Sequence, residues 1–92
     1  MIVSFAHKGL EKFFLTGSKK GIQAPHAKRL KLILGLLNEA QVISDLDAPG
    51  LRLHEMKGDL THHWSVSVSA NWRIVFRFEN GDIHLVNYMD YH

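Results

Sequence analysis

The spacing of hydrophobic residues changes once along the 92-residue chain, near residue 50. Before that point, apolar side chains recur every three or four positions, as they do on one face of an α-helix. They predict a short helix over residues 7–15 and a second helix over residues 25–40, with Pro25 in its first turn. The two apolar sets are Leu10, Phe13 and Phe14, and then Ala27, Leu30, Ile33, Leu34 and Leu37. The short β-rich segment at residues 2–5 predicts a pairing strand ahead of both helices.

After residue 50, apolar and polar residues alternate, which is typical of strands with one buried face. Four strands are predicted, at residues 51–54, 64–69, 72–78 and 83–91. We therefore expect an α+β fold in which two N-terminal helices pack on one face of a mainly antiparallel sheet. The length suits one domain spanning residues 1–92.

Asn80-Gly81 predicts a two-residue hairpin turn, because both central positions of the favoured turn need positive φ. The pairs expected from this turn are Glu79 with Asp82, Arg77 with His84 and Arg73 with Tyr88, with Asp90 diagonal to Arg73. A three-residue loop at residues 69–71 would keep Trp64 and Trp72 on one face and place Ser67 near Arg73. The polar face would then carry the serines and arginines together with His84, Tyr88 and Asp90.

Composition narrows the class of protein. The chain has no cysteine, which excludes disulfides and a cysteine nucleophile. Its longest nearly apolar stretch, residues 30–37, is interrupted by Lys31 and Gly35 and is far shorter than the roughly 20 residues of a membrane span. The N-terminal residues lack the pattern of a signal peptide. We expect a soluble, cytoplasmic protein without membrane partners.

Positive charge is concentrated in the first third of the chain. Residues 1–31 contain seven Lys or Arg and one acid, although the whole chain carries only +2. The second predicted helix and the loop before it carry most of this cluster, in Lys19, Lys20, Lys28, Arg29 and Lys31. Such a cluster can neutralise nucleic-acid phosphates, or it can be a solvated helix face, and the charge pattern alone leaves both interpretations open.

The candidate chemistry is that of metal-free RNA cleavage. The seven histidines show no metal-ligand spacing, and the adjacent pair His62-His63 points to opposite faces of an extended chain, so we expect no metal and no cofactor. A different polar set combines imidazoles, cations, a carboxylate and a phenol, namely His54, Lys57, Arg73, Asp90, Tyr91 and His92. Attack of a 2′-hydroxyl on its phosphate requires proton transfer and stabilisation of anionic charge, which these groups can supply. Alternatively, Arg73 pairs with Asp90 for structural reasons and the terminal residues are loose.

Four segments resemble HigB toxins of the RelE/ParE superfamily. They are Leu-His-Glu-Met-Lys-Gly-Asp at 53–59, Trp-Ser-Val at 64–66, Asn-Trp-Arg-Ile-Val-Phe at 71–76 and the terminal Asp-Tyr-His. The resemblance implies a RelE/ParE-like fold and the toxin of a type II toxin–antitoxin system. It also implies a metal-independent endoribonuclease that cleaves translated mRNA on the 70S ribosome, inhibits growth, and is neutralised by a HigA-like antitoxin with a helix-turn-helix domain.

The resemblance places the polar set in the family's active-site region. It implies that Lys57 and Arg73 stabilise phosphate charge and that His54 and His92 transfer protons. Tyr91 would orient or stack RNA, and Asp90 would orient a neighbour or transfer a proton. Two departures are present, since residues 67–70 contain no basic side chain and Glu55 places an acid beside the histidine. The basic cluster would dock on ribosomal RNA.

Two other functions stay open at this point. One is a non-catalytic inhibitor of a protein target such as DNA gyrase, as in the ParE branch, which shares the scaffold. The other is a binding module that acts only through an antitoxin, using the acidic stretch at residues 39–47 or the basic helix.

Overall fold

Two α-helices and a four-stranded sheet make up the computed structural model, which describes residues 1–58 and 62–91. Helix α1 is Lys8–Thr16 and helix α2 is Ala27–Glu39. The Nδ1 atom of His7 accepts a hydrogen bond from the Leu10 N–H at 3.0 Å and caps the start of α1. Both predicted helices are confirmed, except that the first turn of the second is a separate 3₁₀ turn, Ala24–His26. A further 3₁₀ turn, Ile43–Leu46, follows α2.

The strands are β1 (His54–Glu55), β2 (His63–Ser69), β3 (Trp72–Glu79) and β4 (Asp82–Asp90), and they lie in that order with antiparallel pairing. Residues 2–5 run parallel to β4 and meet it in two isolated bridges, Ile2 with Ile83 and Phe5 with Val86. The predicted α+β architecture with a mainly antiparallel sheet is therefore confirmed. β1 is shorter than the expected strand at residues 51–54.

The core lies between the helices and one face of the sheet. The helical stripe predicted from the sequence is buried against the alternate residues of β2, β3 and β4. Fully enclosed side chains from both layers include Leu10, Leu30, Leu34, Leu37, Val66, Ile74, Phe76, Ile83 and Val86. Burial of these apolar surfaces is the main stabilising contribution to the fold.

The start of α1 packs directly on the loop that leads to α2. A Cβ atom added to Gly9 would lie 2.7 Å from the Cα of Gly21, a distance that real Cβ contacts essentially never show. Glycine at both positions therefore allows the two backbones to touch.

The hairpin between β3 and β4 is confirmed near its turn. Glu79 pairs with Asp82 and Arg77 with His84, and the turn residues Asn80 and Gly81 have φ of +53° and +82°. Both values are in the region that the two-residue turn requires.

Farther from the turn, the predicted register is wrong by one residue. Arg73 pairs with Met89, while Tyr88 pairs with Ile74 and Asp90 with Trp72. The register shifts between Val75 and Arg77 because β4 carries an extra residue there. This extra residue is a β-bulge, which reverses the faces of every β4 side chain beyond it.

The bulge centres on Leu85, whose φ is +56°. The N-terminal segment supports it, since the Leu85 N–H donates to the Oγ atom of Ser4 at 2.8 Å. As a result, the Tyr88 side chain lies on the helix side of the sheet and is 5% exposed. The centroid of its ring is 4.5 Å from the ring centroid of Trp72. Tyr88 and Asp90 are therefore absent from the polar face on which they were predicted.

The pairing of β2 with β3 follows the prediction. Val66 lies opposite Ile74, and Ser67 lies opposite Arg73. The expected three-residue loop is instead a two-residue turn at residues 70–71, with an irregularity between Ser67 and Ser69 that supplies the extra residue. No helix within residues 1–58 and 62–91 combines the length and hydropathy needed to cross a membrane.

Candidate active site

A cleft of about 630 Å³ opens on the face of the sheet opposite the helices, and we call it the outer cleft. It lies where β1 and the residues on either side of it meet the middle of β2, the start of β3 and the residue after β4. Its lining residues are Arg52, Leu53, His54, Met56, Lys57, Ser65, Arg73 and Tyr91. Four of the six predicted catalytic residues are therefore brought together, from positions up to 37 residues apart in the sequence.

Strand pairing places the polar side chains of the outer cleft. His54 pairs with Ser65, and Ser67 pairs with Arg73, so three neighbouring strands present these residues on one face. The Met56 N–H donates to the His63 carbonyl at 2.8 Å and holds the chain just before Lys57. The Tyr91 N–H donates to the Asn71 carbonyl at 2.8 Å, which anchors the end of β4 beside the β2–β3 turn.

The outer cleft is cationic. Ser65 is 2% exposed and Arg73 is half-buried, whereas Arg52, His54 and Lys57 are exposed. Its lining includes three permanent cations and, among the described residues, no acid. Such a surface favours a phosphate and the negative charge that develops on it.

Glu55, which the sequence places next to His54, does not line the outer cleft. It pairs with Trp64, whereas His54 pairs with Ser65. Successive residues of a strand point to opposite faces, so the carboxylate of Glu55 projects away from the outer cleft. It is not among the residues that line the cleft.

Asp90 lies on the other side of the sheet from Arg73. It pairs with Trp72, which faces the helices. Burial raises the pKa of Tyr88, the hydrogen bond from the Gln23 N–H lowers it, and the negative charge of Asp90 raises it further. Asp90 does not line the outer cleft. The sixth predicted catalytic residue, His92, lies outside the described residues.

The predicted basic surface divides into two parts. Arg29 donates hydrogen bonds to three carbonyl oxygens, those of Ser67 and Val68 at 3.1 Å and that of Gly50 at 2.7 Å. Its guanidinium therefore ties α2 to the main chain of β2 and of the loop before β1. This position differs from the open, RNA-facing one that we expected.

The remaining basic residues surround a second cleft between the two helices. Lys19, Lys28 and Lys31 line it, and Lys20 is exposed beside Lys19. We call this space of about 670 Å³ the helix groove, and its other lining residues are Phe13, Phe14, Gly17, Ala27, Leu34 and Gly35. The two clefts share no residue.

Sequence reasoning assigned no site role to four residues of the outer cleft, Arg52, Leu53, Met56 and Ser65, although the last three lie in segments that carry the family resemblance. The alternation of residues 51–54 did associate Arg52 with His54, but nothing else marked Arg52 as part of a site. Within residues 1–58 and 62–91, no three His, Asp or Glu side chains are grouped closely enough to hold a metal ion.

Comparison with known proteins agrees with this architecture. A family model described as a HigB-like toxin, a RelE-like toxin of the type II toxin–antitoxin system HigB, matches residues 3–92. The endoribonuclease HigB of Proteus vulgaris is 44% identical over 92 residues, which cover the full length of both chains. Because the family model matches nearly the whole chain and the relative matches all of it, the chain belongs to the HigB-like, RelE-like toxins of type II toxin–antitoxin systems.

Proposed function

We propose that this toxin–antitoxin endoribonuclease cleaves mRNA on the translating ribosome and that the outer cleft is its active site. The observation that carries the proposal is the convergence of His54, Lys57, Arg73 and Tyr91 in one cationic cleft. These residues come from three separate parts of the chain, residues 54–57, the start of β3 and the residue after β4, so their meeting depends on the fold. The combination of an imidazole, two cations and a phenol is suited to RNA cleavage by the 2′-hydroxyl.

The reaction begins with removal of a proton from the 2′-hydroxyl, whose oxygen then attacks the adjacent phosphorus. The bond to the 5′-oxygen breaks, and that oxygen takes up a proton. We assign the proton transfers to His54 and His92, because imidazole gains and loses protons near neutral pH. Lys57 and Arg73 stabilise the charge that builds on the phosphate oxygens. Tyr91 stacks on or orients a base.

We assign Asp90 a positioning role on the opposite side of the sheet. It follows Met89 and precedes Tyr91, and its pairing with Trp72 fixes the end of β4. The anchored end then presents Tyr91 to the outer cleft.

Ribosome dependence is supported by the separation of the two cationic clefts. The outer cleft accommodates the mRNA, while Lys19, Lys20, Lys28 and Lys31 are available for a second set of phosphates. We propose that these lysines contact ribosomal RNA, and we leave Arg29 out of this set because three carbonyls engage it. The partner implied by the family is an antitoxin. We propose that it is a HigA-like protein with a helix-turn-helix domain.

Mapping of mRNA 5′ ends after induced expression tests the proposal. We expect new ends within translated frames for the unsubstituted chain, and roughly 100-fold to 1,000-fold fewer for Arg73→Ala because a charge-stabilising donor is lost. Arg77→Ala is a matched control, since Arg77 lies on the same strand but pairs with Glu79 outside the outer cleft. A reporter mRNA without its start codon should escape cleavage.

Three results would contradict the proposal in different ways. Undiminished cleavage by a folded Arg73→Ala variant would exclude the assigned site. Cleavage of the untranslated reporter would exclude ribosome dependence. Intact mRNA in arrested cells, together with altered DNA topology, would favour an inhibitor of a protein target such as DNA gyrase.

A further inference from the structure

Arg52 occupies an irregularity in the segment that leads into β1. The Ser67 N–H donates to the Leu51 carbonyl at 2.7 Å, and His54 pairs with Ser65. One residue separates Ser65 from Ser67 on β2, whereas two separate Leu51 from His54. The segment before β1 therefore carries one extra residue, which is the defining feature of a β-bulge.

The backbone of Arg52 is strained. Its φ is +51°, in the left-handed region that favours glycine and is unfavourable for a residue with a Cβ atom. Bulges next to active sites commonly redirect a side chain, and strained backbone is concentrated at functional sites. Here the strained residue is an arginine that lines the outer cleft.

The guanidinium of Arg52 has no partner among the described residues. The side chain is exposed, and no hydrogen bond or ion pair joins it to residues 1–58 or 62–91. Arg29, by contrast, makes three hydrogen bonds on the opposite side of the same loop. The packing of the chain therefore does not explain a long cation at position 52.

Arg52 places a positive charge beside a stretch of β2 that has none. Residues 67–70 of β2 and its turn carry no basic side chain, and Ser67 is the residue that bonds to Leu51. Arg52 thus stands at the rim beside a neutral stretch of strand, whereas Lys57 and Arg73 provide the other positive charges.

We propose that Arg52 is an RNA-binding residue that holds a phosphate flanking the scissile one, and this inference rests on the outer cleft being the site of cleavage. A planar guanidinium donates two parallel hydrogen bonds to a phosphate, which an ammonium group does not. Because Arg52 is exposed at the rim, it contributes to substrate binding and leaves proton transfer to His54. The bulge provides this contact in a strand segment that is otherwise neutral.

Steady-state cleavage of mRNA on programmed ribosomes by Arg52→Gly tests the proposal. Glycine removes the cation and relieves the left-handed strain, so we expect a roughly tenfold higher KM, a kcat within twofold and an unchanged or higher Tm. The slope of log KM against log salt concentration should fall by about 0.7, the contribution of one phosphate contact to a single strand. Arg52→Lys, which keeps the charge without the planar group, should recover part of the loss.

Ala70→Gly is the matched control, because Ala70 also has a left-handed backbone, with φ of +47°, but carries no charge. It should leave KM unchanged. An unchanged KM in Arg52→Gly, with cleavage still abolished by Arg73→Ala, would overturn the role of Arg52 alone. A lower kcat together with a lower Tm in Arg52→Gly would show a structural role instead. Absence of cleavage by the unsubstituted chain would overturn the function on which the inference rests.

Discussion

The outer cleft and the helix groove are similar in size and in charge, but they differ in the chemistry around their cations. Each is lined by three permanent cations, in spaces of about 630 and 670 Å³. In the outer cleft these cations accompany His54, Tyr91 and buried Ser65. In the helix groove the lysines surround phenylalanine and leucine side chains, and the described lining includes no histidine or tyrosine.

This difference shows that the density of positive charge does not locate the reaction. Most of the excess charge lies in residues 1–31, which supply the lysines of the helix groove. The outer cleft is built from residues 52–91, where bases and acids are nearly balanced. Its positive surface arises because the sheet gathers the bases on one side, while Glu55 and Asp90 project elsewhere.

The largest expected effect comes from removing the imidazole of the outer cleft. His54→Ala should lower kcat by roughly 100-fold to 10,000-fold, the range for loss of a general acid or base, with little change in KM. Cleavage of mRNA on programmed ribosomes measures both constants, and circular dichroism checks the fold.

His84→Ala is the matched control for this prediction. His84 pairs with Arg77 in the hairpin of β3 and β4, and it does not line the outer cleft. If both variants lost activity equally, the histidine effect would not be specific to the cleft.

Removing charge from the helix groove should affect binding and not the chemical step. The triple variant Lys19→Gln, Lys28→Gln and Lys31→Gln should raise KM roughly tenfold at constant kcat, because exposed phosphate contacts contribute mainly to association. The slope of log KM against log salt concentration should become shallower by about 0.7 to 0.9 for each lost phosphate contact, the range between single and double strands.

Lys12→Gln provides the charge control, because Lys12 is exposed on α1 outside the helix groove. A large drop in kcat of the triple variant would contradict the assignment of binding to the helix groove and of the chemical step to the outer cleft.

The smallest effect concerns the segment that joins the two regions. The Asp45 carboxylate accepts hydrogen bonds from the N–H groups of Gln41 and Val42 at 2.9 and 3.2 Å, and these bonds lower its pKa. A lowered folded-state pKa adds to the free energy of unfolding above the ordinary value of 3.8, and this contribution is lost as the pH falls through the folded-state value. Asp45→Asn should therefore unfold at a lower urea concentration at pH 7, and the difference should disappear in acid.

The neighbouring exposed residue Asp47 supplies the comparison, since Asp47→Asn should leave the urea midpoint unchanged at both pH values. A difference between Asp45→Asn and the unsubstituted chain that persisted at pH 2 would show that packing, and not the carboxylate charge, is responsible.

Much of the site could be predicted because it depends on alternation within short strands. The pairing of Ser67 with Arg73 and of Arg77 with His84 follows from turn geometry and from the alternation of side chains between the two faces of a strand. Both pairs are confirmed. The finding that Met89, and not Tyr88, lies opposite Arg73 could not be predicted in this way. It depends on the bulge at Leu85, which is supported by Ser4 from the other end of the chain.

The hydrogen bonds of Arg29 also could not be predicted from the helical pattern. A basic residue on α2 has the same local sequence character as Lys28, which lines the helix groove. Arg29 differs from Lys28 because its guanidinium donates hydrogen bonds to the carbonyl oxygens of three distant residues. These residues are Gly50, Ser67 and Val68. Such long-range contacts leave no periodic signal in the sequence.

The sequence by itself determined the two helices, the hairpin at Asn80-Gly81, the buried face of β2 and β3 and the residue types available for RNA cleavage. These depend on local periodicity and turn preference, which act over a few residues. The tertiary structure decided which of those residues meet: it brought His54, Lys57, Arg73 and Tyr91 together, turned Asp90 away and added Arg52. The reason is that two bulges, each stabilised by bonds to distant segments, set which face each side chain occupies.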